Sequence, residues 1–277
     1  MRKKGLITVL SMLLALSLAA CGSSAAETSG EAETELVVFA AASMTETLTE
    51  ISELYKEVHP NVQVTFNFDS SGTLKTQIQE GAACDLFISA GQKQMNQLDI
   101  TADPEVNTEG LDFVDESTRI DILENKVTLC VTQDNEAGLT SFDDMAAALK
   151  DGSILMAMGN SDVPVGQYTQ KILDYYGLSE EELAATGVIS YGTNVKEVTA
   201  QISEGSVDCG VIYCTDAFSA GLDIVDYATA EMCGQVIYPA AVLKGSDHPE
   251  EAKAFLDFLM EADSMAVFEN VGFSPAE

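Results

Sequence analysis

Apolar residues follow two different periods along this chain, and the first clear change of period lies within residues 36–58. Leu36 to Ala40 is a short apolar run with the β-branched and aromatic residues of a buried strand. Beyond it, apolar residues recur at spacings of three and four, as on one face of a helix: Met44, Leu48, Ile51, Leu54 and Val58. The pattern predicts a strand, a tight turn and a helix.

Ser43 lies at the N-cap of this predicted helix, and two interpretations of it stay open. Its hydroxyl and the unpaired backbone N–H groups of the first helical turn could together bind an anion. Ser43 and Glu46 also fit an ordinary capping box, which many helices carry without a ligand. This stretch alone favours the cap.

The same arrangement recurs further along the chain. Val62 to Phe68 predicts a second strand, and a helix ending at Gly81 follows a polar turn that contains Ser71. Gly72 lets the backbone come close to whatever lies at this turn. An ordinary turn capped by Ser71 or Thr73 is the alternative, although two such turns in succession are less common. A third strand and a short helix follow, at residues 85–90 and 92–98.

Residues 101–124 are polar and acidic and predict a connection, after which a second series of strands and helices begins. This series consists of a strand at 127–132, a helix between Ser141 and Gly152, a strand at 154–158, a helix after Pro164, a strand at 188–191, a helix at 195–203 and a strand at 207–213. A strand at 236–243, interrupted by Pro239, and a helix opened by Pro249 close the chain. The alternation predicts an α/β protein with mainly parallel sheets, and the break predicts two units.

The N-terminus has the layout of a secretory signal. Arg2, Lys3 and Lys4 precede an apolar run, and the tetrapeptide that ends in Cys21 resembles the lipobox of bacterial lipoproteins. We therefore expect residues 1–20 to be a signal peptide, Cys21 to carry the lipid, and residues 21–35 to be a flexible tether. No stretch after residue 35 is long and apolar enough to predict a membrane span.

Charge narrows the range of partners. Removing residues 1–20 takes away three of the 13 basic and none of the 45 acidic residues, so the formal charge falls from −32 to about −35. Nucleic acid and anionic lipid are therefore poor partners. Arg119 is the one arginine beyond the signal, and His59 and His248 each lie beside a proline. These residues argue against an arginine clamp and against a histidine metal site.

The cysteines show no disulfide framework. Five remain besides Cys21, an odd number: Cys84, Cys130, Cys209, Cys214 and Cys233. If the GVIY run between Cys209 and Cys214 is extended, those two residues lie about 16 Å apart, too far to be bridged. We expect most of the five to be buried free thiols, with a metal site as the weaker alternative because no histidine joins them.

Six segments, in this order, resemble the periplasmic molybdate-binding proteins of ABC transporters: VFAAASMTETL, FDSSGTLKTQI, GAACDLFISAGQKQM, VPVGQYTQKIL, TNVKEV and GVIYCTDA. The resemblance covers most of residues 36–273. It implies the type II periplasmic-binding fold, in which two α/β lobes enclose an oxyanion in the cleft between them. On that basis we expect lobe 1 to comprise residues 36–124 and 234–277, and lobe 2 residues 125–233.

The resemblance also implies a ligand site. Ser43 and Ser71 match the serines of the first lobe, and Val165, Val195 and Tyr213 match two backbone N–H donors and one hydroxyl of the second lobe. Val165 stands where an alanine is frequent, which matters little for a backbone contact. Gly72 stands where a third serine may occur, so a hydroxyl contact is lost there.

The function implied is that of a binding protein. The chain is expected to capture molybdate or tungstate and to deliver it to an ABC permease, as a monomer anchored by Cys21 to the outer face of the cytoplasmic membrane, with no cofactor and no side-chain metal ligands. A sulfate receptor is the nearest alternative. An exported hydrolase with Ser43 or Ser71 as nucleophile is disfavoured, because the chain lacks a G-x-S-x-G or S-x-x-K motif and a histidine placed as a base. A purely structural surface lipoprotein would leave the recurring serine turns unexplained.

Selectivity should follow from the donors. Hydroxyl and N–H groups satisfy a fully deprotonated dianion, whereas the proton of hydrogen phosphate needs an acceptor. Phosphate should therefore bind weakly unless Asp69, Asn194 or Asp216 faces the cleft, and sulfate should be rejected on size alone.

Overall fold

The computed structural model describes residues 33–276, in which strands and helices alternate. The strands are β1 Thr34–Ala41, β2 Val62–Asp69, β3 Leu86–Ile88, β4 Ile120–Asn125, β5 Val127–Val131, β6 Met156–Gly159, β7 Ile189–Gly192, β8 Cys209–Tyr213, β9 Asp223–Tyr227, β10 Val236–Val242 and β11 Ser274–Pro275. The helices are α1 Thr45–Val58, α2 Ser71–Gln79, α3 Gln92–Asn96, α4 Phe142–Asp151, α5 Pro164–Tyr175, α6 Glu180–Thr186, α7 Val195–Ser203, α8 Cys214–Ala220, α9 Ala230–Cys233, α10 Pro249–Leu259 and α11 Ala262–Val271. The predicted signal peptide and Cys21 lie outside the described residues.

The strands form two sheets, which define two lobes. The first lobe contains a six-stranded sheet in the order β11-β4-β10-β3-β1-β2, and the second a five-stranded sheet in the order β7-β6-β8-β5-β9. The chain crosses from β4 directly to β5 and returns from β9 to β10. The α/β prediction and the prediction of two units are therefore confirmed at the level of the sheets.

Both sheets are mixed, so the prediction of mainly parallel sheets is wrong. β1 pairs in parallel with β2 and β3, and β6 does so with β7 and β8. By contrast, β10 is antiparallel to β3 and β4, and β5 is antiparallel to β8 and β9. β11 is likewise antiparallel to β4. β5 and β10 are the strands through which the chain enters a sheet from the other lobe, without the crossover helix that joins parallel neighbours.

Helices cover the sheet faces mostly with the apolar sides that the sequence predicts, although Val58, predicted on that side of α1, is 61% exposed. On α1, Leu48, Ile51 and Tyr55 are buried, and the Tyr55 ring meets Phe255 and Phe258 of α10 edge-on at centroid distances of 5.0 and 5.1 Å. Such aromatic pairs stabilise the packing beyond the area they bury. They hold α1, and with it the turn that carries Ser43, against the first sheet.

Several short elements escape the sequence pattern. Strand β4 lies in the stretch predicted as a connection, and α6, α8 and β9 were not predicted. Strand β1 begins at Thr34, which pairs with Val62, so the last two residues of the predicted tether belong to the sheet. Each of these four short segments mixes charged or polar residues with a few apolar ones, so no period stands out.

Other local predictions are confirmed in detail. The Ser141 side chain caps α4, and Gly152 ends that helix in the left-handed region at φ 68°. Helix α7 spans Val195–Ser203, the bounds that its sequence predicts. At Pro239 the pairing of β10 with β4 shifts register, as expected of a strand residue that has no N–H to donate.

All five cysteines of the described residues are buried free thiols. Burial raises the pKa of the Cys84, Cys130 and Cys209 thiols to about 12. They are therefore protonated packing residues at neutral pH. Within residues 33–276, no helix is both long and apolar enough to cross a bilayer.

Candidate functional site

The five residues predicted to bind the ligand line one small cavity between the lobes. Its volume is about 10 Å³, close to the space that a single water molecule needs. Ala41, Ala42, Ser43, Asp69, Ser70, Ser71 and Ala90 line it from the first lobe, and Val163, Pro164, Val165, Val195 and Tyr213 from the second. The structure therefore brings the predicted residues together, while their role in binding stays a prediction.

Ser71 is the first residue of α2 and is fully buried. The cap of this helix is Ser70, whose side chain accepts the Thr73 N–H, so the alternative that Ser71 or Thr73 serves as the cap is wrong. The Ser71 Oγ instead accepts the N–H of Ala90 at 2.9 Å. Because the oxygen is used as an acceptor there, the hydroxyl proton is left to donate into the cavity.

Ser43 is not a helix cap either, so the capping box with Glu46 is wrong. The residue lies inside a short 3₁₀ turn, Ala42–Met44, and neither this turn nor α1 has a side-chain cap. The chain tightens before α1 begins, which turns Ser43 away from the N–H groups it was expected to cap. Its hydroxyl meets the Tyr238 hydroxyl at 2.9 Å, and both residues are buried.

Asn125 sets the direction of this hydroxyl contact. Its Oδ1 accepts the Lys126 N–H at 2.7 Å, which identifies the other amide atom as the nitrogen. That nitrogen donates to the Tyr238 hydroxyl at 3.1 Å and to Thr215 at 3.0 Å. Tyr238 thus receives a hydrogen bond from Asn125 and can pass its own proton to Ser43. The proton of Ser43 is then free to point into the cavity.

The second lobe lines the cavity with two helix N-termini. Val165 is buried in the first turn of α5, next to Pro164, and Val195 opens α7, which the Asn194 side chain caps. Backbone N–H groups of a first turn have no acceptor within their own helix, and the helix dipole adds partial positive charge there. Both helices therefore offer the cavity uncharged donors.

Tyr213 ends β8 at the floor of the cavity and is 1% exposed. Its hydroxyl lies 3.5 Å from the Ala90 carbonyl oxygen, a long contact across the lobes that a ligand can replace. Burial raises the pKa of Tyr213 well above its usual value, and Tyr238 behaves likewise. Both hydroxyls therefore keep their protons at neutral pH and act as donors.

The three polar residues singled out near the cleft have different positions. Asp69 lines the cavity, and its Oδ1 accepts the Ser70 N–H at 2.7 Å and the Asn194 amide at 3.4 Å. Asn194 is committed to α7, where it accepts the Glu197 N–H. Asp216 is buried outside the set of lining residues and lies 3.2 Å from the Lys196 ammonium. Asp69 is thus the one carboxylate among the described lining residues.

Gly72 explains one departure from the family pattern. A Cβ built on it would lie 2.2 Å from the backbone oxygen of Asp162 in the opposite lobe, far inside van der Waals contact. With the lobes arranged as they are, no side chain fits at this position. A hydroxyl-bearing side chain at this position is therefore incompatible with this approach of the lobes.

The sequence pattern that defines the bacterial extracellular solute-binding proteins matches residues 36–274. The chain belongs to this family. A Bacillus subtilis protein named as a candidate ABC transporter substrate-binding lipoprotein is 32% identical over 276 residues, which are 99% of this chain and 99% of that protein. The molybdate-binding protein ModA of Mycobacterium tuberculosis is 30% identical over 284 residues, again 99% of each chain.

A solved structure confirms the fold of this solute-binding protein. The periplasmic molybdate-binding protein of Azotobacter vinelandii matches it with a TM-score of 0.72 at 21% identity, over 87% of this chain and 100% of that one. The expectation of a two-lobed periplasmic-binding fold is confirmed.

Sequence reasoning missed the residues that orient the donors of this solute-binding protein. Ala90 holds Ser71, and Tyr238 and Asn125 hold Ser43. Tyr238 within the apolar strand β10 is a signal, since a buried hydroxyl needs a hydrogen-bond partner, whereas Asn125 at the end of the half-polar β4 gave none. The identity of those partners is not a local property of the chain.

Proposed function

We propose that this solute-binding protein captures molybdate or tungstate outside the cell and delivers it to an ABC permease. The observation that carries the proposal is the convergence of Ser43, Ser71, Tyr213 and the first turns of α5 and α7 on one cavity. All of these groups are neutral donors, which suit a tetrahedral dianion. The similarity to a molybdate-binding protein over 99% of the chain supports the same ligand class.

Neutral donors also reconcile the ligand with the charge of the protein. A net charge of −32 would repel a dianion if surface carboxylates acted at full strength. At physiological salt, charges farther away than about 8 Å are largely screened. Hydrogen bonds from the cavity act at contact distance, so they outweigh the distant surface.

A ligand panel tests this function. Purified protein is mixed with molybdate, tungstate, sulfate, phosphate or nitrate, and the rise in its unfolding temperature is measured. Calorimetry then gives the affinity for each ligand that stabilises the protein. We expect molybdate and tungstate to stabilise most, and sulfate less because a smaller anion stretches the contacts. Equal or stronger stabilisation by phosphate would contradict the molybdate proposal.

Asp69 gives a second candidate ligand, a monoprotonated oxyanion such as hydrogen phosphate. Its carboxylate is the kind of acceptor that such a proton needs, and it lines the cavity. Asp69→Asn separates the two candidates. The affinity for molybdate should stay the same or rise, because the change removes a negative charge beside a dianion. If the protein instead takes hydrogen phosphate, the same change should abolish that binding. Asp134→Asn, at an exposed position, serves as the charge control.

We further propose the lobe boundaries expected from the sequence, residues 36–124 with 234–277 and residues 125–233. The distribution of strands between the two sheets supports them. A ligand that both lobes contact favours the closed form, which a permease can recognise.

We also propose a monomer anchored through Cys21, supported by the lipoprotein name of the Bacillus subtilis relative. A mature N-terminus without an acyl group in mass spectra would contradict the anchor.

A further inference from the structure

Lys196 joins the two lobes next to the candidate site. It follows Val195 in the first turn of α7, a helix that connects β7 and β8 of the second lobe. Its Nζ lies 2.8 and 2.7 Å from the two carboxylate oxygens of Glu46, on α1 of the first lobe. Because the partners lie on helices of different lobes, this ion pair requires the lobes to be together.

A buried carboxylate holds Lys196 on its own lobe. Asp216 on α8 has a fully buried side chain, and its Oδ1 lies 3.2 Å from the Lys196 Nζ. Both oxygens of Asp216 are shielded from water, and Lys196 supplies the one ion pair of this carboxylate within residues 33–276. A buried charge without a partner is costly, so Lys196 has a strong reason to stay at Asp216 when the lobes separate.

The electrostatic balance supports this arrangement. Burial acts to lower the pKa of the Lys196 ammonium, but Asp216 and Glu46 outweigh it and the net shift is upward. The lysine is therefore charged at neutral pH. Its side chain is 30% exposed and that of Glu46 is 52% exposed, so the pair across the lobes is accessible to water and its contribution is modest.

We propose that Lys196 is a positioning residue that retains the ligand by latching α7 to α1 in the closed form. Asp216 keeps the ammonium on the second lobe, and Glu46 engages it when the cleft closes. The latch holds the N-terminus of α7, and with it the Val195 N–H, against the cavity. It acts mainly on release, because opening the closed form breaks the pair across the lobes. The proposal rests on the proposed function in that molybdate is the ligand retained.

The test uses full-length protein loaded with radiolabelled molybdate and chased with unlabelled molybdate at low ionic strength. Glu46→Gln should raise the dissociation rate about threefold to fivefold, as expected for a half-exposed pair, with little change in the association rate. Glu50→Gln, one turn along α1 at an exposed position, is the matched control and should release the ligand at the wild-type rate. High salt should reduce the difference between Glu46→Gln and wild type.

Combining substitutions on both lobes distinguishes a latch from a general effect of removing one negative charge. In the Lys196→Gln/Asp216→Asn background, which leaves no unpaired buried charge at these two positions, Glu46→Gln should have no further effect. An undiminished effect in that background, or a wild-type release rate for Glu46→Gln, would overturn the latch.

Failure of the proposed function can be distinguished from failure of the latch. If the wild-type protein does not bind molybdate, the proposed function is wrong, and small-angle X-ray scattering of the ligand-free variants still tests the latch. Glu46→Gln should then have a larger radius of gyration than wild type and Glu50→Gln. Equal radii for the three proteins would refute the latch.

Discussion

At the scale of single residues, the site depends on where hydroxyl protons point. The Ser71 oxygen accepts the Ala90 N–H, and the Ser43 hydroxyl pairs with the hydroxyl of Tyr238, which accepts a hydrogen bond from Asn125 and can donate its own proton to Ser43. A hydroxyl that already accepts has its proton available to a ligand. Two ordinary serines thereby become directed donors for an anion.

Removing these donors should weaken molybdate binding without unfolding the protein. Losing one hydrogen bond to a charged partner costs about 1.5 to 3 kcal/mol, so Ser43→Ala, Ser71→Ala and Tyr213→Phe should each weaken binding roughly tenfold to a hundredfold. Tyr238→Phe should weaken it less, because Ser43 remains. Calorimetry on Ser43→Ala/Tyr238→Phe should show no greater loss than Ser43→Ala alone, since both act through one contact. Ser52→Ala, whose hydroxyl bonds a carbonyl on α1, is the control. Wild-type affinity in the three donor variants would refute the site.

At the scale of elements, closure of the two lobes depends on how closely α2 approaches the turn before α5. Gly72 lies in the first turn of α2, and the Asp162 backbone occupies the space that a Cβ would need. The contact brings the donors of the two lobes within reach of one small anion. Any side chain at this position acts as a wedge between the lobes.

Gly72→Ala should therefore impair ligand binding by hindering closure. Overpacking a tight contact costs about 1 to 3 kcal/mol, which corresponds to a loss of affinity of roughly fivefold to a hundredfold. Calorimetry with molybdate measures this, and scattering should show a larger radius of gyration in the presence of the ligand. Gly245→Ala is the matched control, because a Cβ there meets nothing within 4 Å. If Gly72→Ala binds and closes like wild type, the lobes do not need this approach.

At the scale of the whole molecule, one buried carboxylate makes stability depend on pH. Burial raises the pKa of Asp216 to about 6, although the Lys196 charge acts in the opposite direction. In the unfolded chain the carboxyl has its ordinary pKa near 3.8, so between these two values the folded state holds a proton that the unfolded state has lost. Stability therefore falls as pH rises through this window, and the contribution of the protonated form is fully present below it.

Asp216→Asn should remove this dependence. From the size of the shift, the variant should be more stable than wild type above pH 6 by about 1 to 3 kcal/mol, and the difference should vanish near pH 4. Urea unfolding across that range measures it, with Asp134→Asn as a control for the loss of one negative charge at an exposed position. A variant less stable than wild type at neutral pH would show that the ionised carboxylate stabilises the fold through Lys196.

The sequence by itself determined the features that depend on neighbouring residues. The alternation of strands and helices, the cap and stop of α4, the bounds of α7 and the placing of Ser43 and Ser71 at strand ends all follow from periodicity and turn chemistry within short windows. The resemblance added the ligand class and joined Val165, Val195 and Tyr213 to Ser43 and Ser71 in one site. The elements β4, α6, α8 and β9 were missed because each is short and mixes charged or polar residues with its apolar ones.

Only the tertiary structure decided which distant groups meet. Ser43 and Tyr238 are 195 residues apart, and Glu46 and Lys196 are 150 apart, so neither pair leaves a mark on local pattern. The antiparallel return strands and the fit of Gly72 against Asp162 also depend on how the chain passes between the lobes. Periodicity reports which side of an element is buried, whereas hydrogen-bond partners and charge pairs are chosen by packing in three dimensions.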